Sequence, residues 1–310
     1  QDMSNGDLTL TFDIYGPYNA SNAHNYYGTN DSTGSDSHPA ELVTEAVTDL
    51  IADKGATVDF SIYDNDGDGN VDSVIVIHQG PGEETSGVAN DIWSHASTIP
   101  DITSDGVKFN TYAIQPEYLS AAGDSTIGVF CHEFGHVLGL PDTYDTTVIS
   151  QNPTTYQTAG IGQWSLMAGG TWNGPAGQGG SVPAPLVAWE RIDRGWLTPV
   201  SAENNGIYTV TDINSSNQAY KVPLKTLPIV AAAGSSPFSG PVLILVLVAL
   251  AGSAPVFLRF RRKWIIQTAA AVAAIPCIVI FSPGCGSEDK TSNLKNYDQY
   301  LLIENIVLTP

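Results

Sequence analysis

An α+β fold is predicted for this chain of 310 residues. Three observations point to it. Apolar residues recur at helical spacing in "ELVTEAVTDLIADKG", β-rich runs separated by Gly/Asn/Asp turns lie on either side of it, and "GVFCHEFGHVLGL" is a second helical stretch that Gly139 and Pro141 bring to an end. The expected architecture is a mixed sheet with a backing helix and a motif-bearing helix. A small β-rich C-terminal part follows, interrupted by an apolar insertion.

The elements follow in chain order. "QDMSNGDLTLTFDIYG" alternates apolar and polar residues and reads as a strand, whereas "NASNAHNYYGTNDSTGSDSHP" is polar and turn-rich and reads as a loop. Leu42, Val43, Ala46, Val47, Leu50 and Ile51 then share one face of the backing helix, with Gly55 as its stop. "VDFSIYD" and "VDSVIVIHQG" are β-rich runs separated by an acidic turn, and "KFNTYAIQPE" is a further strand before the motif-bearing helix. "PLVAWERIDRGWL" reads as another helix, with Leu186, Trp189 and Trp196 as core anchors. "GIYTVTDI", "QAYKVPL" and "YLLIENIVL" read as the strands of the C-terminal part.

Charge narrows the partners. Lys and Arg number 12 against 32 Asp and Glu, a net −20, and the first 190 residues carry only Lys54 and Lys108 as basic side chains. Nucleic acid is thereby excluded as a partner, because phosphate binding depends on clustered cations. An acidic, lysine-poor surface suits a secreted protein with bound calcium. Three cysteines make no disulfide framework: Cys131 reads as a buried thiol, and Cys277 and Cys285 fall in the apolar insertion. The chain opens directly on strand-like sequence, so it is expected to be a fragment or processed form without signal peptide or propeptide.

The chemistry is concentrated in "CHEFGHVLGLPDTYD". Residues four apart stack on one helix face, so His132 and His136 present two imidazoles to one point, a two-point claw for a metal. Glu133 lies on a neighbouring face, in reach of a water at that metal without having to ligate it. Zinc in a catalytic site takes three protein ligands and keeps a fourth position open. Gly139 can turn the chain at the helix end, which returns Asp142 as the third ligand. Glu190, on the downstream helix, is the alternative third ligand. Taken singly, His78 and His95 read as satisfied structural residues. In the metzincin class such a helix is followed by a turn whose methionine lies beneath the metal, and Met167 in "WSLMAGGTW" fits that place. Tyr144 is a candidate for steadying the site or a developing oxyanion.

Several stretches together, "CHEFGHVLGLPDTYD", "WSLMAGGTW", "AWERIDRGWL", "YDNDGDGNVDSVIVIHQGPGEE" and "NDIWSHAS", resemble the immune inhibitor A family of secreted bacterial zinc metallopeptidases. The resemblance runs from about Gly6 to Lys225 and resumes at Tyr297 to Ile306. It implies a metzincin-like catalytic domain, zinc on His132, His136 and Asp142, Glu133 as the catalyst, and protein or peptide substrates. It also implies that "YKVPL" and "YLLIENI" are neighbouring strands split by the apolar block. The chain departs from the family in that block and in first strands that look truncated.

The acidic turn "DNDGDGNVD" places Asp64, Asp66 and Asp68 at positions one, three and five of an EF-hand-like loop, Gly69 at six and Asp72 at nine. Crowded carboxylates repel one another unless a cation sits among them, which favours calcium over a merely solvated turn. Ile75 stands where the bidentate glutamate of such a loop belongs, so Glu83 or Glu84 are candidates for the missing ligands. The apolar block contains two uncharged runs, Pro237 to Leu258 and Trp264 to Cys285, around "RFRRK". About 20 apolar residues suffice to cross a bilayer, so residues 237–285 read as a membrane hairpin. A buried apolar hairpin, or a segment foreign to the fold, are the alternatives.

Residues 1–200 are accordingly expected to form a metallopeptidase catalytic domain, 201–227 and 291–310 the C-terminal strands, and 228–290 the insertion. The expected function is zinc-dependent endopeptidase. The alternative is an inactive, membrane-held or calcium-stabilised binding protein whose zinc is structural. Either is expected outside the cell or on the outer face of its envelope, anchored if the hairpin spans the membrane.

Overall fold

The computed structural model describes residues 3–146, 158–204, 206–223, 278–279 and 300–304. The chain divides into a unit of residues 1–224 and 276–310 and one of residues 225–275. The elements below belong to the first. In order they are α1 (His24–Gly28), α2 (Pro39–Lys54), β1 (Ile75–Pro81), α3 (Glu83–Ser86), β2 (His95–Ser104), β3 (Val107–Tyr118), α4 (Ile127–Val137), α5 (Ala188–Asp193), β4 (Val200–Ser201), α6 (Ile213–Ser216), β5 (Tyr220–Pro223), β6 (Ile278–Val279) and β7 (Tyr300–Ile303).

The backing helix α2 forms where the apolar periodicity places it. Pro39 stands in its first turn, where no amide hydrogen is needed, and Gly55 takes its C-cap. Val43 and Val47, one turn apart, are fully buried against Phe109, Tyr112 and Ile114 of β3, with Phe60 and Ile92 in the same core. Each such side chain contributes roughly 1.5–3 kcal/mol through its removal from water. The sheet beneath has the order β1-β3-β2 and is mixed, as expected: β1 runs parallel to β3 (Ile77 opposite Gln115) and β2 antiparallel (His95 opposite Ile114). Strand β2 is absent from the sequence expectation. Its signal is the Asp105-Gly106 pair, both at positive φ, which closes a tight hairpin between Ser104 and Val107.

A second sheet, β4-β5-β7-β6, gathers the C-terminal strands. Here β5 pairs antiparallel with β7 from Tyr220 opposite Ile303 to Pro223 opposite Tyr300, joining the strands that flank the apolar block. Leu302 packs with Val187, Ala188, Leu197, Ile213 and Ala219.

Four expectations are corrected. Residues 8–20 join no ladder among the described residues, and Ile14 is 94% exposed, because alternation marks two faces without providing a partner strand. "VDFSIYD" winds into a 3₁₀ turn at Phe60–Tyr63, since the Asp59 carboxylate accepts from Ser61 N and draws the backbone from an extended path. "GIYTVTDI" is not a strand either: Ile207 is fully exposed, and Asp212 caps the short α6. The "PLVAWERIDRGWL" helix is shorter than its pattern, starting at Ala188 and ending before Gly195, which has φ +78°. Leu186 is buried as expected, and Trp189 and Trp196 pack partly buried at its two sides. The membrane-hairpin reading, Cys277 and Cys285 lie outside the described residues apart from Ile278–Val279. Among the described residues no helix is long and apolar enough to cross a membrane.

Glu304, just past β7, is 2% exposed, and its Oε2 accepts from Ala188 N at 2.7 Å. Burial pushes its carboxyl up from 4.5 to about 7, against that hydrogen bond. A carboxyl with a raised folded value stabilises the fold fully below its unfolded value, and that contribution is lost as pH rises through the folded one. Unfolding curves of the parent and Glu304→Gln between pH 4.5 and 7.5 should therefore diverge. The parent should lose up to about 3 kcal/mol relative to the variant as pH rises. Parallel curves would show that Glu304 is ionised throughout.

Candidate metal centre

Helix α4 carries the motif and ends in a turn built for it. Gly139, at φ +86°, closes a Schellman cap in which Leu140 N donates to Gly135 O (2.9 Å) and Gly139 N to His136 O (2.8 Å). Leu140 becomes a buried anchor, and its carbonyl oxygen turns back to His136 Nδ1 at 2.8 Å. The chain after the cap then delivers Asp142. His132 Nδ1 meets Leu166 O, also at 2.8 Å, from the turn that carries Met167. A carbonyl only accepts, so both rings hold their neutral-form proton on Nδ1 and expose a lone pair at Nε2.

Those lone pairs converge on Asp142. His132 Nε2 and His136 Nε2 lie 3.3 and 3.4 Å from Asp142 Oδ1, which is buried and, in this tautomeric arrangement, has no hydrogen-bond partner among the described residues. Three acceptors face one another, so either a proton or a cation belongs between them. The carboxylate does favour protonated rings: Asp142 raises His136, and raises His132 against the opposing effect of burial. The spacing favours a metal. With Zn–N and Zn–O bonds of about 2.0–2.2 Å, neighbouring ligand atoms of a tetrahedron stand about 3.3–3.6 Å apart. Donor types, tautomers and distances all fit zinc.

Glu133 is 6% exposed beside the claw, and burial raises its carboxyl while His132 and His136 lower it. Tyr144 is 41% exposed next to Asp142, and partial burial together with the negative charge of Asp142 pushes its phenol up to about 12, so it remains a donor. Met167 is fully buried and packs with Leu140, Leu166 and Leu186. Gly135 makes room for it, since a Cβ there would overlap Met167 Sδ and stand 3.0 Å from its Cε. Cys131 is partly buried beside the same cluster, and burial raises its thiol.

Glu190 is not at the claw. It is fully buried and accepts from Ser165 Oγ (2.5 Å) and Val187 N (2.7 Å), while it is Asp142 that lies with the two histidines. His95 is satisfied by Tyr112 Oη and Trp93 O, while the Nδ1 of buried His78 bonds Gln79 O and its Nε2 meets no hydrogen-bond partner among the described residues. The acidic turn brings Asp64, Asp66 and Asp72 together with a ligand atom each within 4.8 Å. Asp68 is outside that group, its Oδ1 accepting from Asn70 N. Glu83 and Glu84 are engaged by Asn30 and Ser94 instead of the turn. The sequence reading missed the carbonyls of Leu140 and Leu166 and the hydroxyls of Thr143 and Ser165. Only the two hydroxyls had a signal, as Ser and Thr flanking the motif residues.

Comparison with known proteins decides what this centre belongs to. Residues 1–197 match the family described as Immune inhibitor A peptidase M6, catalytic domain. The chain belongs to the M6 metallopeptidase family. It is 31% identical over 275 residues to the pre-pro-metalloprotease PrtV of Vibrio cholerae serotype O1, covering 76% of this chain and 28% of PrtV. To Immune inhibitor A of Bacillus thuringiensis subsp. alesti it is 34% identical over 179 residues, 48% of this chain and 24% of that protein. A protein of Arthroderma benhamiae whose name proposes a secreted metallopeptidase is 30% identical over 122 residues, 36% of this chain and 16% of its own. The chain thus spans less than a third of the length of these relatives. Membership of the M6 family implies a metzincin-like fold and a zinc centre, which the His132, His136 and Asp142 cluster fits.

The contact between Gly135 and Met167 is open to a direct test. Alanine at position 135 gains about 1 kcal/mol of helix propensity, whereas overlap in a packed core costs about 1–3 kcal/mol. Met167 is enclosed, so the overlap should win. Gly135→Ala is expected to unfold at lower temperature than the parent with zinc held constant. A higher melting temperature would mean that Met167 is free to retreat.

Proposed function

We propose that this chain is the catalytic part of a secreted zinc endopeptidase. The observation that carries the reading is the approach of His132 Nε2 and His136 Nε2 to Asp142 Oδ1 at tetrahedral-edge distances, beside a buried glutamate. Zinc, when bound there, supplies a Lewis acid that polarises a peptide carbonyl and acidifies a water. The residues do the rest. Glu133, whose proton affinity is raised by burial, takes a proton from the attacking water and returns it to the leaving amine. Tyr144, an O–H donor next to Asp142, steadies the developing oxyanion. Leu140 O and Leu166 O hold the two imidazoles in the ligating tautomer. Residues 1–200 form the catalytic domain in this reading, with the C-terminal strands packed behind it. Secretion is supported by the acidic, lysine-poor composition and by the likeness to the Arthroderma protein, whose name describes a secreted metallopeptidase. Residues 237–285 are the membrane-contacting segment, on sequence alone.

Calcium is the second cation of this proposal, held by Asp64, Asp66 and Asp72, with Asp68 at the rim of the turn. Asp64 also accepts from Gly67, Asp68 and Gly69 N, which shapes the loop around its carboxylate. The turn leads directly into β1, so a cation there would pin the first strand of the sheet.

Two predictions follow from these assignments. Glu133→Gln should keep one equivalent of zinc and lose roughly 10²–10⁴-fold in turnover of an unfolded protein substrate, whereas Asp142→Ala should lose the metal. Parental cleavage by Glu133→Gln would remove Glu133 from the mechanism, and parental zinc affinity in Asp142→Ala would remove the third ligand. For calcium, a ligand at a hundred times its dissociation constant adds about 2.7 kcal/mol to a fold that alone binds it. A calcium-selective chelator should therefore lower the melting temperature at constant zinc, and Asp66→Ala should do so without it. An unchanged midpoint in the chelated parent would reduce the aspartate turn to a solvated loop.

A further inference from the structure

Glu190 and Glu304 are two fully buried carboxylates outside the metal cluster, and both meet the first turn of α5. A helix leaves its first amide hydrogens without intrahelical partners. Here Val187 N donates to Glu190 Oε2 and Ala188 N to Glu304 Oε2, each at 2.7 Å. Glu304 arrives from β7, beyond the apolar block, and Arg191 between them is itself buried and held by Leu186 O, Ile213 O and Asn214 Oδ1.

The other oxygen of Glu190 faces the zinc ligands' supports. Its Oε1 accepts from Ser165 Oγ at 2.5 Å, and Ser165 Oγ in turn accepts from Met167 N at 2.9 Å. That fixes the turn from which Leu166 O holds His132. Thr143, the residue after Asp142, bonds Met167 O through its amide (2.8 Å) and hydroxyl (3.1 Å), and the same hydroxyl lies 3.4 Å from Glu190 Oε1. One carboxylate thus reaches the supports of two of the three ligands, and touches none of the ligands themselves.

We propose that Glu190 is a positioning residue for the metal centre, and that Glu304 holds it in place, so that the strand after the apolar block sets the geometry of His132 and Asp142. The inference rests on the zinc reading above. Its logic is that of supports around metal ligands, whose loss typically costs about 10–100-fold in metal affinity or activity. Glutamine at position 190 has a single acceptor oxygen, so it cannot serve Ser165 and Val187 together.

The test uses the full chain and the metals alone. Zn²⁺ affinity is measured by competition with a chromophoric chelator, and Co²⁺ is substituted so that its visible bands report ligand geometry. Glu190→Gln and Ser165→Ala should each weaken zinc about 10–100-fold and shift the cobalt spectrum. The double variant should lose little more than Glu190→Gln, because both remove one connection. Glu304→Ala should weaken zinc in the same direction. A merely structural role would lower the melting temperature and leave zinc affinity and cobalt bands at parental values. That result in Ser165→Ala, which decides the matter should Glu190→Gln not fold, overturns the proposal. Parental zinc affinity in Glu304→Ala overturns the part assigned to the C-terminal strand. A parent that binds no zinc overturns the zinc reading itself, and is recognised before any variant is compared.

Discussion

Three acceptor atoms that repel one another hold the key position in this protein. His132 Nε2 and His136 Nε2 lie 3.3 and 3.4 Å from Asp142 Oδ1, and the neutral rings have no proton to place there because Leu166 O and Leu140 O claim it on the far side. Such an arrangement persists only if the surroundings enforce it. The Schellman cap enforces one edge, using the end of α4 to place both the carbonyl for His136 and the chain leading to Asp142. The Met167 turn enforces the other, packed into the space that Gly135 leaves open. The two small sheets serve as the frame for these local devices.

What could be read from the sequence is what depends on neighbours along the chain. His132 and His136 meet because four residues make about one helical turn, and Gly139 stops the helix because positive φ suits it. The backing helix was legible for the same reason, its apolar face being written at a fixed period. Acceptor oxygens of the backbone have no such signature. Leu140 O and Leu166 O orient the histidines, yet any residue type would offer the same carbonyl. Glu190 could be seen as an acidic residue on a helix and was therefore a candidate ligand. Only its burial against Ser165 and Val187 shows that it faces the supports instead.

The failures on the β side have one physical source. Alternation in "LTLTFDIY" specifies which residues share a face, but a strand exists through hydrogen bonds to another segment, and residues 8–20 have none in a ladder. "VDFSIYD" was lost to a competing local bond from Asp59. Conversely, β2 has weak alternation and was overlooked, although Asp105-Gly106 announced the hairpin that pairs it. The strands on either side of the apolar block were connected through resemblance to relatives, and the ladder between β5 and β7 bears that out.

That ladder places Pro223 opposite Tyr300, residues far apart along the chain. The entropic cost of bringing two segments together grows only with the logarithm of their separation, so pairing β5 with β7 costs little more than pairing nearer strands would. The arrangement also orders events during synthesis. His132, His136 and Asp142 all precede Glu304 in the chain, so the contact of Glu304 with Ala188 N is made after that cluster has been synthesised. A chain that stops before β7 carries the whole His132, His136 and Asp142 cluster yet lacks the carboxylate that meets Ala188 N.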